Sequence, residues 1–357
     1  MSPRKRNSEN SPLPKRWRWK HNAYYYRVPN GLEHIWDNKK EFRLGKTLPE
    51  AYRTWSDKLD ETDSVNTVNQ LMDRYMLEVI PDKAIGTQES NLLSIKKLRP
   101  VFGNMPPASI EPQHAYQYHD IASKKNGKTV AKHDIQLLRH LLTKAVEWGI
   151  IKRNALVGQI RLPSAPPRDR FVEDWEIAET LSLIPKIKSR AVTLAKLYVR
   201  FKLMTGLRRM DILQLTLSQI KDDGIHIQPT KTANTTGKRL IIEWDEGGEM
   251  RALIDEILKL PPRRIGDVCL FTTRQSKSYV NEKGKANAFD SLWQRFMDRV
   301  VELTKVTDRF QERDLRAKVA SESDTLEEAS ERLGHSTTET TNRVYRRKPS
   351  RIQPLIK

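Results

Sequence analysis

Residues 332–347 read RLGHSTTETTNRVYRR, and this stretch organises the interpretation of the chain. It sets His335 and Tyr345 among small hydroxyl residues and closes on Arg343, Arg346 and Arg347. A phenol with an ordinary pKa near 10 attacks poorly unless cations and a proton acceptor surround it. The basic residues here supply that setting. A single tyrosine is ordinarily a packing residue, so Tyr345 acquires meaning only from what precedes it. Upstream, in order, stand TGLRRMD at 205–211, PTKT at 229–232, RDLR at 313–316 and LGHS at 333–336.

In that order the segments resemble the boxes of the tyrosine recombinase (phage integrase) family. The TG-x-R-x-x-[E/D] frame resembles the family's first arginine box, which implies that Arg208 binds a non-bridging oxygen of the scissile phosphate. Asp211, one helical turn on, is expected to hold the Arg208 guanidinium. The family's catalytic lysine sits on a hairpin in a K-T context; Lys231 matches it, with Lys238 of the same loop as the other candidate. Its ammonium suits protonation of the departing 5′-oxygen. Arg316 matches the second-box arginine, able to grip the phosphate bidentately.

The chain departs from the family at one place: Arg313 stands where H-x-x-R usually carries histidine. A guanidinium adds positive charge there but does not accept a proton. The tyrosine proton then passes to water, to a phosphate oxygen or to His335. His335 matches the third-box histidine, which hydrogen-bonds the phosphate, and Tyr345 matches the nucleophile. Their spacing is ten residues against nine in the commonest form; position 344 is Val, and no other tyrosine follows Tyr279. The resemblance implies a 3′-phosphotyrosyl bond and a free 5′-hydroxyl, with bond energy conserved, so that no cofactor, ATP or divalent ion is needed. The chain has no GxxxxGK[ST] loop.

At 357 residues there is length for two or three domains. The balance of 64 Lys plus Arg against 45 Asp plus Glu, net +19, points to a polyanionic partner. An anionic membrane surface competes with nucleic acid, but no apolar run long enough to span and no signal-peptide core is present. A soluble protein of the cytoplasm, on DNA, is expected. Cys269 is the single cysteine, which excludes an intramolecular disulfide framework and a Cys-rich zinc site. The eight histidines show no HExxH or similar ligand spacing, and no metal is assigned.

The expected fold is multidomain α+β. Residues 1–60 form an arm-type DNA-binding domain, beginning with a basic tail that has nothing to bury. Arg4, Lys5, Arg6, Lys15 and Arg16 of that tail suit phosphates or a minor groove. From Trp17 to Leu44 aromatic and polar residues alternate around a Pro-Asn-Gly turn, predicting three antiparallel strands followed by a helix from about 49 to 59. One face is aromatic, the other carries Arg16, Arg18, Lys20, Arg27, Lys40 and Arg43, and the pattern looks like the arm-site domain of a lambda-type integrase. Residues 65–162 read as an all-α bundle of four or five helices, whose place before the catalytic segment resembles the family's core-binding domain. There Lys124, Lys125, Lys128 and Lys132 flank an Asn-Gly turn and are the preferred DNA contacts. Three prolines mark 163–170 as a linker. Residues 171–357 are the catalytic domain, mainly α with a small β-sheet, with Ser323 or Asp324 expected to cap the helix before His335.

The resemblance further implies double-stranded DNA partners at core-type and arm-type attachment sites and a homotetramer on DNA. Integration host factor and an excisionase are the implied helpers, in a bacterial cell infected by a phage or carrying a mobile element. The tail at 350–357, with Ile352, Leu355 and Ile356, is expected to pack on a neighbouring protomer. Two other readings stand beside this one. A type IB topoisomerase-like or resolvase enzyme would use the same chemistry but has little use for an arm-binding domain. A catalytically altered, recombinase-derived DNA-binding regulator is made conceivable by Arg313.

Overall fold

The computed structural model describes residues 13–14, 16–60, 65–163, 166–185, 187–230, 237, 239–262, 266 and 268–349. Backbone contacts divide the chain into two compact units, residues 1–165 and 166–357.

The first unit opens with an antiparallel sheet in the order β1 (Trp17–Lys20), β2 (Ala23–Arg27), β3 (Glu41–Gly45). Side chains of a strand alternate between faces, and the register turns that rule into chemistry. Trp17 lies opposite Tyr26, and Tyr26 opposite Phe42, on the inner face, where Trp36 closes over them. On the outer face Arg18, Tyr25 and Arg43 form one cross-strand row, with the Arg27–Glu41 pair beside it. Glu41 takes a hydrogen bond from Lys20, so that face is basic but not uniformly so.

Helix α1 (Leu48–Asp60) follows, then α2 (Val68–Glu78), α3 (Ile85–Phe102), α4 (Pro112–Asn126) and α5 (Lys128–Glu147). Thr67 and Gln70 form a capping box that starts α2. Gly127, at φ 88°, makes the turn between α4 and α5. Deep in the bundle the fully buried Asp134 accepts from Lys97 at 2.7 Å and from the Tyr118 hydroxyl at 3.0 Å. Lys124, Lys125 and Lys128 are exposed around the turn. Lys132 is half-buried and donates to the Leu162 carbonyl. One core runs through sheet and bundle, from Trp17 to Leu156.

The second unit begins with α6 (Asp174–Ser182), α7 (Arg190–Thr205) and the short α8 (Arg209–Leu213). Three strands follow, β4 (Ile220–Lys221), β5 (Gly224–Ile227) and β6 (Leu240–Glu243), paired antiparallel in that order. Then come α9 (Glu249–Leu258), α10 (Asn287–Leu303), α11 (Glu312–Glu322), α12 (Leu326–Arg332) and α13 (Thr338–Thr340). The last described element is a single π-helical turn, Thr341–Tyr345. Tyr198 of α7 packs on Phe271, Phe289 and Trp293, which makes α7 the spine of this core.

Two buried polar groups brace α7 against α11. Lys202 is paired with Glu312, and the Tyr198 hydroxyl donates to the same carboxylate at 2.5 Å. Burial pulls the Lys202 ammonium down and pushes the Tyr198 phenol up. The cap of α12 differs from expectation: Thr325, not Ser323 or Asp324, accepts from the Glu328 amide. Thr325 is the extended residue directly before the helix, which is the geometry a capping hydroxyl needs. Among the described residues no helix is long and apolar enough to cross a membrane.

Candidate active site

The site is built where the ends of α7 and α12 meet the side of α11. Helix α7 stops at Gly206, whose φ of 62° is the left-handed conformation that ends helices. A Cβ at that position would meet Val319 of α11 at 3.0 Å and Leu333 at 3.3 Å, so the absence of a side chain sets how closely the elements approach. Helix α12 ends in the same manner. The Gly334 amide bonds the Glu331 carbonyl at 2.8 Å and the His335 amide bonds the Ser330 carbonyl at 2.9 Å, a Schellman motif that carries His335 back over α11.

Arg316 fastens these ends together from inside. It is 3 % exposed and donates from Nη1 to the Gly206 carbonyl and from Nη2 to the Leu333 carbonyl, each at 2.6 Å. Nη2 also reaches His335 Nε2 at 3.2 Å. Burial, followed by the repulsion of Arg208, pulls the Arg316 guanidinium down to about 10, while the nearby Tyr345 hydroxyl pulls the other way. Arg208 itself is half-buried just before α8, its guanidinium with no hydrogen-bond or ion-pair partner among the described residues. The two guanidinium groups thus lie close enough to repel, with the charge of the nearby Asp211 carboxylate acting in the opposite sense on Arg316.

Tyr345 comes to this place in the same chain. Its ring lies 4.9 Å from the His335 ring and 5.4 Å from the Arg316 guanidinium carbon, and it packs on Ala320, Ala329 and Leu333. The π-helical turn explains how. A π turn holds one residue more than an α turn and is a common form of single-residue insertion at functional sites. The ten-residue spacing between His335 and Tyr345 is absorbed there, at the foot of the tyrosine.

The segment is clamped on its far side by Ser321 and Asp314, which the sequence did not single out, together with Arg347, whose guanidinium turns to the clamp. Ser321 donates to the Tyr345 carbonyl at 3.0 Å and accepts from the Arg347 amide at 2.7 Å. Arg347 bonds the Val344 and Arg170 carbonyls and the carboxylate of Asp314, the last at 2.8 Å. Asp314 is fully buried and also accepts from Arg168 Nε, at 2.9 and 3.0 Å to its two oxygens. One carboxylate therefore binds residue 168, the start of α11 and the segment that follows the tyrosine.

Two expectations are changed by the geometry. Asp211 forms no bond to Arg208; its Oδ1 accepts from the Thr230 amide at 2.9 Å and the Thr230 hydroxyl at 2.6 Å. Arg208 precedes α8 in extended backbone, so the side-chain register of a helical i,i+3 pair does not apply. Asp211 instead anchors the residue next to Lys231. Arg313 is exposed on α11 and bonds no described residue, in contrast to the buried Arg316 three positions on. Lys231, Lys238, Arg4, Lys5, Arg6, Lys15 and the tail 350–357 with Ile352, Leu355 and Ile356 lie outside the described residues. Among the described residues no cluster of His, Cys, Asp and Glu is arranged to hold a metal.

No family model and no curated protein matches the chain. Solved structures do. A lambda integrase tetramer bound to a Holliday junction superposes with a TM-score of 0.62 at 17% identity, covering 97% of this chain and 99% of that one. A lambda integrase (75–356) dimer bound to a COC′ core site gives 0.63 at 17%, over 80% and 99%. The Tn1549 transposon integrase in complex with a circular intermediate DNA gives 0.61 at 15%, over 78% and 95%. The chain has the tyrosine recombinase fold. The match to the lambda tetramer spans both units, so the recombinase fold includes the small sheet at the start of the chain.

Proposed function

We propose that the protein is a site-specific DNA recombinase that cuts and rejoins DNA through a 3′-phosphotyrosyl intermediate. The observation that carries this reading is the convergence of Tyr345, His335 and Arg316 beside Arg208, whose guanidinium bonds no described residue. A phosphodiester bound by Arg208 and Arg316 would pair with both cations, which would stabilise the charge of the pentacoordinate state. Tyr345 attacks phosphorus, the P–O5′ bond breaks, and the ammonium of Lys231 protonates the departing oxygen. Strand exchange follows when a partner's 5′-hydroxyl attacks the phosphotyrosyl bond. Because each step trades one phosphodiester for another, no ATP or metal ion is consumed.

The roles of residues 1–60 as an arm-site domain, 65–162 as a core-binding domain, 163–170 as a linker and 171–357 as the catalytic domain belong to the same proposal. So do the DNA contacts through the outer sheet row and the Lys124–Lys128 corner. The lambda structures contain a tetramer on a Holliday junction and a dimer on a core site; a tetramer on two duplexes is the assembly proposed here. Integration, and excision with accessory bending and excision proteins, of phage or mobile-element DNA is the biological outcome inferred.

The exposed Arg313 favours one second reading, a DNA-binding regulator that has lost cleavage. Tyr345→Phe separates the two. Under the enzyme reading the wild type forms covalent adducts on a nicked duplex, and the variant binds equally well but forms none. A wild type that binds and forms no adduct supports the regulator.

A further inference from the structure

The proposed chemistry leaves one proton without a destination. Where the family keeps a histidine, this chain presents Arg313, a group that accepts no proton and stands exposed on α11. The hydrogen bonds around His335 assign the task. A guanidinium only donates, so the contact from Arg316 Nη2 fixes His335 Nε2 as the acceptor. A neutral imidazole then carries its proton on Nδ1. That nitrogen lies 2.7 Å from the hydroxyl of Thr341, which is fully buried. Thr341 therefore receives the Nδ1 proton and keeps the Nε2 lone pair on the side of Arg316 and Tyr345.

We propose that His335 Nε2 is the general base that takes the Tyr345 proton, and that Thr341 is the positioning residue that holds the imidazole in the required tautomer. The inference rests on the recombinase reading above and departs from the phosphate contact that the resemblance implies for His335, since Nε2 can donate to a phosphate oxygen only after it has taken the proton. Tyr345 and Nε2 share one guanidinium, and the Arg316–His335 contact at 3.2 Å is the longest of the three hydrogen bonds that Arg316 makes. The proton of the Tyr345 hydroxyl passes to Nε2 as the oxygen forms its bond to phosphorus. The electron pair of the P–O5′ bond leaves with the 5′-oxygen, which is protonated by Lys231. On rejoining, the attacking 5′-hydroxyl returns its proton to the lysine and the released phenolate recovers its own from His335. Among the described residues Arg316 of α11 faces the imidazole, and Arg208 and Asp211, beside and within α8, act in turn on Arg316.

The test is single-turnover adduct formation as a function of pH, on a nicked duplex whose scissile 5′-bridging oxygen is replaced by sulfur. The thiolate leaves without needing a proton, so the rate reports activation of the nucleophile alone. For the wild type the rate should rise and level off as the imidazole becomes neutral. His335→Gln should fall by about 10²-fold near neutrality, the lower end expected for loss of a general base, and its rate should climb with pH without levelling. Thr341→Val should slow the reaction and Thr341→Ser should restore it. A His335→Gln profile of unchanged shape, lowered uniformly, would reduce His335 to a phosphate contact and overturn the proposal. Nitrogen chemical shifts of histidine-labelled, DNA-free protein give a readout independent of activity. They should show the proton on Nδ1 in the wild type and lose that preference in Thr341→Val; a proton on Nε2 in the wild type overturns the tautomer assignment. Absence of any wild-type adduct would instead defeat the recombinase reading, while the shifts still decide the tautomer.

Discussion

The two units of the molecule use positive charge in opposite ways. In the first, Arg18 and Arg43 stand on the outer face of a sheet and Lys124, Lys125 and Lys128 crowd an exposed turn. In the second, the Arg316 and Arg347 side chains are buried and tied to backbone carbonyls or to Asp314. Exposed cations act on a polyanion by releasing counterions, in a way that is additive, tolerant of position and weakened by salt. A buried guanidinium with fixed bonds acts at one position, and its desolvation cost is acceptable only if its partners stay in place. The first arrangement suits holding a duplex, the second suits handling one phosphate.

The contrast can be broken most sharply at Arg316. Its removal leaves the Gly206 and Leu333 carbonyls unpaired, so Arg316→Ala should cost about 2–4 kcal/mol of stability, read by thermal or denaturant unfolding, and abolish adduct formation. Arg208→Ala separates catalysis from folding, because this guanidinium has no described partner to lose. Adduct formation should fall by about 10²–10³-fold, the usual cost of one charge-stabilising donor, with the melting temperature nearly unchanged.

Asp314→Asn tests the clamp behind the tyrosine. Weakening the grip on Arg168 and Arg347 should cost about 3 kcal/mol, as for a broken buried pair, or a fall in melting temperature of roughly 6–12 °C for a unit of this size. An unchanged melting temperature would show that the clamp is not a stability element. The smallest effects belong to the surface. Lys124→Ala and Lys128→Ala should each reduce the slope of log affinity against log salt by about 1, and leave the adduct rate at saturating protein as it was. A loss of rate at saturation would erase the distinction between the two kinds of charge.

How much of this was legible in the sequence follows the range over which each feature is encoded. The first sheet was readable because WRWK and AYYYR alternate in the period of a strand, and the turn residues sit between them. The glycines that end α7 and α12 stand in the sequence inside the arginine and histidine boxes themselves. What was not readable are pairings made across the fold. Asp314 meets a residue 146 positions before it and another 33 after it, and nothing local in RDLR announces either. Thr230 captures Asp211 because Arg208 lies outside the helix, a one-residue matter of helix start that spacing does not decide. Arg313 and Arg316 look equivalent in RDLR, but only one faces the core. The ten-residue spacing was visible as an anomaly, and its structural expression, a π-helical turn, was not.

The most direct measurement is to trap the wild-type protein on a nicked duplex and identify the residue that carries the DNA. A 3′-phosphate linked to Tyr345 of the same chain that binds the cut site is the expected result. Linkage to any other residue, or a fully bound protein that never becomes linked, would contradict it.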